Sequence, residues 1–495
     1  MVILDFPVWL RITHLLNFLF LSLLVRSGLE ILSAHPKLYW NDDCDLGSEW
    51  LSCNRRPYPS GQLFTADDQE TSFPSWLALP GHRHWDLGRH WHFLSVNGWI
   101  ATGLVYLAML FSGSEWRRLV PTDWAVLPDG WRVLVGYLHL HLAGQPGLHN
   151  PLQQLTYFGV VFLLAPLSIA TGAAMSPAVA GRFPGYLRLF GGRQAARSLH
   201  FIALGCYLLF FLGHLTMVVA HGFRTELAMI CLGEVREPRL NLALAVGLGA
   251  IGLVVLIHVL ATRGSLRHPD RLQRAAELLA DPVRRALLGH LRSVQDYRPQ
   301  DISSFFWVNG RPPREPEYLA LAEDRFRDYA LEVGGLVERP LRLSLAELRA
   351  LPRQVQITKH NCIQGWSGVA EWAGVPFREL IRLCRPRPEA GYAVIYAYDE
   401  KSRSEPRPKA AGHYYGTIAM AMALQPQTLL AYEMNGQPLP IEHGAPLRLR
   451  LETQYGFTMI KYIRAIEFVR SYRTVGKGRG GWPEDNLHRS REASI

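Results

Sequence analysis

Five apolar segments of membrane length dominate the first half of this chain of 495 residues and restrict what it can fold into. Each is weakly charged inside and close to the length of about 20 residues that a helix needs to cross a hydrocarbon core. They cover residues 8–33, 91–112, 155–178, 199–220 and 240–262. A helix satisfies its own backbone hydrogen bonds, so it can cross lipid where an open chain cannot. The sequence therefore predicts an all-α transmembrane bundle of about five spans.

The second half of the chain has a different pattern. From about residue 300, short β-rich runs such as YALEVGG, LRLRLETQY and YIRAIEFVRSY alternate with turns. This spacing is typical of an α+β, mainly β domain. The predicted organisation is a membrane domain at 1–264, a charged amphipathic linker at 265–299, a globular domain at 300–485 and a polar tail at 486–495.

Charge and cysteine content exclude several classes of protein. A net charge of +10 is compatible with nucleic-acid binding, but the basic residues flank apolar segments, as they do in membrane proteins. The cysteines form no C-x-x-C pair, so neither a zinc ribbon nor a disulfide scaffold is indicated. They lie at Cys44, Cys53, Cys206, Cys231, Cys362 and Cys384. Cys44 and Cys53 share an acidic loop and could pair if that loop lies outside the cytoplasm.

The fourth apolar segment carries two histidines, His200 and His214, fourteen residues apart. At about 100° per residue they project from one helical face, separated by about 21 Å along the axis. Neutral imidazole is the ligand that b-type haem iron requires, and an ionisable residue inside a membrane is a functional candidate. One helix could therefore serve two stacked haems.

Each iron needs a second imidazole at a matching depth. Because consecutive spans alternate in direction, His92 lies at the level of His200, and His14 lies at the level of His214. An arginine precedes three of these histidines by three residues, on the same helical face and nearer the membrane surface, where haem propionates would emerge. These arginines are Arg11, Arg89 and Arg197. The alternatives are snorkelling arginines at helix starts and satisfied polar residues in a bundle such as a transporter.

The first 220 residues, with these histidines, resemble the di-haem cytochrome b subunits of formate dehydrogenase and nickel-iron hydrogenase. Those subunits have four spans, with haem ligands on the first, second and fourth. The resemblance implies two b-type haems and exchange of electrons with quinone. The fifth segment departs from this pattern, and its lone His258 is interpreted as structural or quinone-associated.

A second resemblance surrounds Cys362. The run NCIQGWSGVAEWAGVPFRELI and the later run LLAYEMNGQPLPIEHGAPLRLRLETQYGFTMIKYIRAIEF resemble the molybdopterin-binding domain of the sulfite oxidase family, over nearly all of 300–485. The resemblance implies that the Cys362 thiolate binds molybdenum beside the pterin. It implies a role in holding the pterin and its phosphate for His443, Arg448, Met459, Ile460 and Lys461. It also places Phe305, Phe306 and Asn309 near the metal pocket.

The chemistry suits these residue types, because a phosphate dianion favours an arginine fork, a lysine charge and backbone amides. His360 is either a proton donor near the metal or a structural loop residue. Sulfite oxidases follow their metal cysteine with an Arg-bearing segment of the CAGNRR kind, whereas this chain has IQGW at 363–366. The chain resembles more closely the bacterial methionine-sulfoxide-reductase-like branch, which argues against sulfite as the substrate.

The predicted function is a membrane-bound molybdenum oxidoreductase. Electrons would pass between the quinone pool, two b haems and a molybdopterin centre that transfers an oxygen atom to or from a small substrate, with S- or N-oxide reduction favoured. The alternatives are oxidation of sulfite or a related sulfur oxyanion, feeding quinone, and a non-enzymatic haem membrane protein with a binding module. The expected partners are quinone or quinol, a small oxo donor or acceptor and membrane lipid, without nucleic acid and with a homo-oligomer allowed.

The predicted location is a bacterial plasma membrane. A small excess of Arg and Lys in the short loops on the side of the C-terminal domain favours a cytoplasmic position for that domain. The cytochrome relatives instead begin in the cytoplasm, which would place the fused domain outside. Both orientations stay open.

Overall fold

The computed structural model describes residues 6–59, 61–139, 141, 150–176, 179, 182–288, 295–404, 411–452 and 454–489. Within these ranges, five helical segments are long and apolar enough to cross a membrane, by length and composition. They are Val8–Leu32, Trp85–Phe111, Pro151–Ala174, Arg193–Ala220 and Glu237–Arg267. The prediction of five spans is confirmed.

The helices of the first half follow in chain order. They are α1 Val8–Leu32, α2 Trp85–Phe111, α3 Val126–Leu138, α4 Pro151–Phe158, α5 Ala165–Ala174, α6 Pro184–Leu189, α7 Arg193–Ala220, α8 Phe223–Leu232, α9 Leu240–Arg267 and α10 Pro269–Leu288. A π-helical stretch, Gly159–Leu164, joins α4 to α5 within the third span. Pro166 follows it, and a proline inside a helix removes one backbone hydrogen bond and crowds the preceding turn, which accounts for the widened segment.

The segment between α1 and α2 is folded onto the C-terminal domain. Its short strands β1 Lys37–Leu38 and β2 Leu51–Ser52 pair in antiparallel fashion, and a 3-10 turn follows at Ala66–Gln69. Cys44 and Cys53 are free thiols in this segment. The predicted linker contains the last residues of α9 and all of α10, and its residues 289–294 lie outside the described part of the chain.

The strands of the C-terminal domain are β3 Ala330–Gly335, β4 Leu341–Ser344, β5 Gln354–Asn361, β6 Ser367–Pro376, β7 Tyr392–Glu400, β8 His413–Ala419, β9 Leu429–Met434, β10 Gln437–Pro438, β11 Arg448–Arg450 and β12 Ile463–Val469. In the described part of the domain they form two five-stranded sheets. One has the order β10-β9-β6-β5, with β11 also paired to β9, and the other has the order β4-β3-β12-β7-β8. The helices are α11 Pro316–Glu323, α12 Leu345–Ala350, α13 Phe377–Cys384, α14 Lys401–Ser404, α15 Met420–Ala423 and α16 Trp482–Asn486.

One hydrophobic cluster holds the two sheets together. It includes Trp372 and Leu430 from the first sheet and Ile395 and Phe468 from the second, and none of the four is more than 1% exposed. Full burial of side chains this large contributes about 2–3 kcal/mol each to the free energy of unfolding. The prediction of an α+β, mainly β domain is confirmed.

The antiparallel pair β5 and β6 places Cys362. Asn361 lies opposite Ser367 in the register, so residues 362–366 form the connection between the two strands. The Cys362 N–H donates to the Trp366 carbonyl at 3.0 Å, and the Gly365 N–H donates to the Cys362 carbonyl at 3.2 Å. Gly365 has a φ of +127°, which a residue with a side chain rarely adopts. A short, internally bonded loop therefore presents the thiol.

Candidate functional site

Cys362 lies at the base of a cavity of about 930 Å³ between the membrane domain and the C-terminal domain. The residue is 1% exposed, and burial raises the pKa of its thiol to about 11. Its Sγ accepts hydrogen bonds from Asn309 Nδ2 at 3.3 Å and from the Gln364 N–H at 3.4 Å. Both donors favour the thiolate, so a metal that binds here displaces one proton and finds the sulfur already oriented.

Cations line the same cavity. Burial lowers the pKa of His443 to about 3, and the charges of Arg448 and Lys461 act in the same direction. Burial, with the nearby Arg450 charge, lowers the pKa of Arg448 to about 9. Arg448 Nε is buried and has no hydrogen-bond partner among the described residues. A phosphate would satisfy this nitrogen and stabilise the charges around it, so the residues present fit the pterin phosphate.

The residues expected from the second resemblance meet around this cavity. The lining includes Asn309, His443, Arg448, Met459, Ile460 and Lys461, together with Phe306. Phe305 is not part of the lining and stacks instead against Phe64, with ring centroids 6.2 Å apart. Among the described residues, no group of three or more His, Cys, Asp or Glu could hold a metal ion.

His360 borders the cavity as a buried imidazole, 2% exposed. Its Nδ1 accepts a hydrogen bond from Arg450 Nη1 at 3.0 Å. Burial and the neighbouring cations, Arg450 first among them, lower its pKa well below the usual value. His360 is therefore neutral at physiological pH, and its environment favours the structural interpretation over that of a proton donor.

The four candidate haem ligands form two facing pairs inside the membrane domain. The ring centroids of His92 and His200 are 6.3 Å apart, and those of His14 and His214 are also 6.3 Å apart. Two metal–nitrogen bonds of about 2 Å each fit between imidazoles at this separation. Each pair can therefore hold one iron between its two rings.

Hydrogen bonds orient the pair His92 and His200. The Ser27 hydroxyl lies 3.1 Å from His92 Nδ1, and the Thr171 hydroxyl lies 3.0 Å from His200 Nδ1. Each hydroxyl donates its own proton to a carbonyl one turn earlier in its helix, so it accepts from the imidazole. The Nδ1 of each ring is thus the donor, which leaves the lone pair on Nε2 for a metal.

Neighbouring histidines have other partners. His90 Nε2 lies 2.7 Å from the His488 carbonyl, and His84 Nδ1 lies 2.9 Å from the Gly81 carbonyl. The lone His258 of the fifth span lies 2.9 Å from Ser22 Oγ and 2.7 Å from an Arg26 nitrogen, one contact at each ring nitrogen. These contacts tie the fifth span to the first, which favours a structural role for His258.

The three arginines expected near haem propionates differ in their surroundings. Arg11 donates to the Cys231 carbonyl at 3.1 Å. Arg89 lies over the Tyr455 ring, 5.3 Å from its centroid. The guanidinium of Arg197 donates to the carbonyls of Lys37 and His35 at 2.6 and 2.5 Å. A propionate role for any of them remains a prediction.

The start of α7 contacts the Cys362 loop directly. Arg193 Nη1 donates to the Gly365 and Trp366 carbonyls, each at 3.1 Å, and Nη2 donates to the Cys362 carbonyl at 3.3 Å. Only seven residues separate Arg193 from His200, a rise of about 10 Å. Two turns of one helix therefore connect the loop that carries the thiol to the imidazole that faces His92.

The group that fixes this junction was not predicted from the sequence. Asp42 accepts hydrogen bonds from the backbone N–H groups of Gln194 and Arg193, at 2.8 and 3.3 Å. It also forms an ion pair with Lys359. Burial opposes ionisation of Asp42, but the Lys359 charge and these donors outweigh it, and the net pKa is lowered. The carboxylate thus caps α7 and binds a β5 side chain at once. The acidic run NDDCD at 41–45 was the available signal.

Gly365 provides a test of this junction. A Cβ at Gly365 would lie 3.1 Å from Arg197 Cζ, whereas one at Gly436, which also has a positive φ of +71°, would meet nothing within 4 Å. Gly365→Ala is expected to slow electron transfer from haem to the C-terminal domain by about tenfold or more, since misplacement by 1 Å can cost about 100-fold. Stopped-flow spectroscopy of haem reoxidation measures this rate. Gly436→Ala also introduces a side chain at a positive φ, with less backbone strain and without the clash, and an equal slowing in both variants would contradict the assignment.

Two family models match the chain. Residues 5–231 match the prokaryotic cytochrome b561 family, and residues 318–474 match the oxidoreductase molybdopterin binding domain. The first match covers the first four spans, three of which carry the four candidate haem ligands, and the second includes Cys362, Arg448 and Lys461.

Two curated relatives are named as subunits of methionine sulfoxide reductases. A putative protein-methionine-sulfoxide reductase subunit, YedZ1, of Azospira oryzae is 39% identical over 157 residues, which is 32% of this chain and 53% of that protein. The catalytic subunit MsrP of protein-methionine-sulfoxide reductase from Xanthomonas axonopodis pv. citri is 33% identical over 177 residues, which is 35% of this chain and 55% of that protein. The chain thus spans about half the length of these relatives.

A solved structure, the sulfane dehydrogenase SoxCD from Paracoccus pantotrophus, matches 31% of this chain and 42% of that chain, with 22% identity and a TM-score of 0.26. The prediction of two fused domains is confirmed by the family matches. The chain is a fusion of a membrane domain of the prokaryotic cytochrome b561 type with an oxidoreductase molybdopterin-binding domain.

Proposed function

We propose that this protein is a membrane-bound reductase of small S- or N-oxides that takes its electrons from quinol. Oxidation of one quinol releases two electrons and two protons, and reduction of one sulfoxide consumes two of each and yields a sulfide and water. The position of α7 carries the proposal. His200 lies about 10 Å along this helix from Arg193, the residue that holds the Cys362 loop. The curated relatives, named as methionine sulfoxide reductases, support the choice of an oxide as substrate.

The membrane domain would hold two b haems. His92 with His200 would bind the haem nearer the C-terminal domain, and His14 with His214 would bind the haem at the other end of α7. Bound haem supplies one-electron steps, which suits delivery of a quinol's electron pair one at a time. The serine and threonine hydroxyls beside His92 and His200 would keep each ring in the tautomer that ligates through Nε2.

The C-terminal domain would hold molybdopterin. Cys362 would bind the molybdenum, and Arg448, Lys461 and His443 would surround the phosphate. Bound molybdenum supplies the exchange of an oxygen atom with the substrate, coupled to two electrons. The Asn309 amide and the Gln364 N–H would hold the sulfur in place, and the buried position of Cys362 would exclude bulk water.

The substrate would be a small free molecule. Cys362 is 1% exposed, and the walls of its cavity come from both domains. The membrane domain supplies part of the wall around this thiol, which restricts the approach of a side chain of a folded protein. We therefore expect free methionine sulfoxide or dimethyl sulfoxide to be reduced faster than methionine sulfoxide within a folded protein.

The test uses the intact protein purified in detergent from a host that makes the molybdenum cofactor. Elemental analysis with haem quantitation is expected to give two haems for each molybdenum. A reduced quinone analogue should then support reduction of dimethyl sulfoxide, free methionine sulfoxide or trimethylamine N-oxide. Sulfite-dependent reduction of the quinone, without oxide reduction, would favour the oxidase alternative. Absence of molybdenum in protein from this host would exclude the proposed enzyme.

A further inference from the structure

Arg489 is the last residue that the structure describes, and its side chain lines the cavity above Cys362. Its guanidinium lies between two aromatic rings, 4.8 Å from the centroid of Trp85 and 5.0 Å from that of Phe457. Its Nε donates to Asp86 Oδ1 at 2.9 Å. Trp85 and Asp86 belong to the membrane domain and Phe457 to the C-terminal domain, so this one side chain bridges both.

Hydrogen bonds hold the backbone around Arg489 in place. Gln273 of α10 donates to the Arg489 carbonyl at 2.9 Å, and the preceding carbonyl, that of His488, lies 2.7 Å from His90 Nε2. These contacts attach the tail to α10 and to α2. The guanidinium is therefore oriented by its backbone, its carboxylate partner and two rings.

Two other arginines of the cavity lie beside carboxylates of the segment between α1 and α2. Arg311 binds both carboxylate oxygens of Asp68 at 2.9 Å, and Arg83 lies 3.7 Å from a Glu70 oxygen. Arg489 uses Nε for Asp86, and within the described ranges its Nη1 and Nη2 have no hydrogen-bond partner. Arg489 and Cys362 line the same cavity.

We propose that Arg489 binds the oxygen atom of the oxide substrate beside the metal position; this inference rests on the proposed function. The oxygen of a sulfoxide or N-oxide carries partial negative charge, and a guanidinium offers it two parallel donors without giving up a proton. The two protons that leave with this oxygen as water come from quinol oxidation or solvent, and Arg489 stays protonated. The loop at 363–366 contains no cationic side chain. Arg489, from the distant tail, supplies one to this cavity.

An ion pair with Asp86 that only fastens the tail is the structural alternative. Arg479 serves as a matched control for this alternative. It also joins the C-terminal part of the chain to α10, through a 2.6 Å ion pair with Asp270, but it is not among the residues that line the cavity. Loss of either arginine weakens the attachment of this region, and only Arg489 faces the substrate position.

The experiment compares Arg489→Gln, Arg489→Lys and Arg479→Gln in the full-length protein, with dimethyl sulfoxide as the probe. Arg489→Gln is expected to raise the KM about 10- to 100-fold, the loss of a hydrogen bond from a charged group, with the haem-to-molybdenum ratio unchanged. Arg489→Lys keeps the charge but not the planar fork, so an intermediate KM is expected. Arg479→Gln is expected to have the KM of the wild type and a lowered thermal stability.

Two results would overturn the inference while the wild type reduces the oxide. One is a KM within twofold of the wild type in Arg489→Gln, and the other is an equal rise in Arg479→Gln. If Arg489→Gln fails to retain molybdenum, the KM of Arg489→Lys decides, and an unchanged value there counts against substrate contact. A wild type that reduces no oxide would overturn the proposed function itself, and this inference with it.

Discussion

Replacing Cys362 by serine is expected to lower oxide reduction by more than about 100-fold and to leave the haem spectrum unchanged. Substitution of residues that only support a metal ligand typically costs 10- to 100-fold, and this substitution removes the sulfur ligand itself. The four candidate haem ligands lie on helices of the membrane domain, and the substitution leaves all four imidazoles in place. The measurements are the kcat with a reduced quinone analogue, the molybdenum content and the absorption spectrum of the reduced protein.

Cys384 provides the matched control for this substitution. It is also fully buried, in the hydrophobic cluster between the sheets, and it is not among the residues that line the cavity. Cys384→Ser is expected to reduce stability, because it buries a hydroxyl, but to retain turnover per molybdenum. Wild-type turnover in Cys362→Ser would be incompatible with a sulfur-bound metal at this position.

Replacing His200 by alanine is expected to remove one of two b haems and to lower quinol-driven reduction by more than about 100-fold, since an iron ligand is lost outright. Reduction driven by a small soluble dye that reaches the molybdenum directly should persist. His14→Ala is expected to remove the other haem. Haem quantitation and the two assays, performed on the same preparation, separate loss of the electron path from loss of the catalytic domain.

His258 is the control for the haem ligands, since it is also a histidine within a span. Its two ring nitrogens contact Ser22 and Arg26, so His258→Asn is expected to keep both haems while weakening the attachment of the fifth span. Two haems in His200→Ala, or one haem in His258→Asn, would mean that the ligands were assigned wrongly.

Local periodicity made the membrane domain predictable. Apolar runs of about 20 residues specify spans whatever surrounds them, and the spacing of His200 and His214 on one helix follows from 3.6 residues per turn. The alternating direction of spans then determined the partners at each depth, and the structure places the ring centroids of each pair 6.3 Å apart. Their role as haem ligands remains a proposal.

The contacts between the domains were not predictable in this way. Arg489 and Asp86 are 403 positions apart in the chain, and no local pattern relates two side chains at that separation. The contacts of Asp42 with α7 and with Lys359 join segments that are far apart in sequence. Arg193 is buried against the Cys362 loop, 169 positions away in the chain. Such pairs are specified only once both domains have folded.

The central claim is that electrons held by the membrane haems reach a centre at Cys362 within this one chain. Anaerobic stopped-flow spectroscopy tests it most directly: the haems are reduced with a quinol analogue and mixed with dimethyl sulfoxide, and the b-type α-band is followed. The account predicts reoxidation of the haems in the wild type at a rate that saturates with substrate, and none in Cys362→Ser. Haems that stay reduced in molybdenum-loaded wild type, or that reoxidise equally fast in Cys362→Ser, would contradict it.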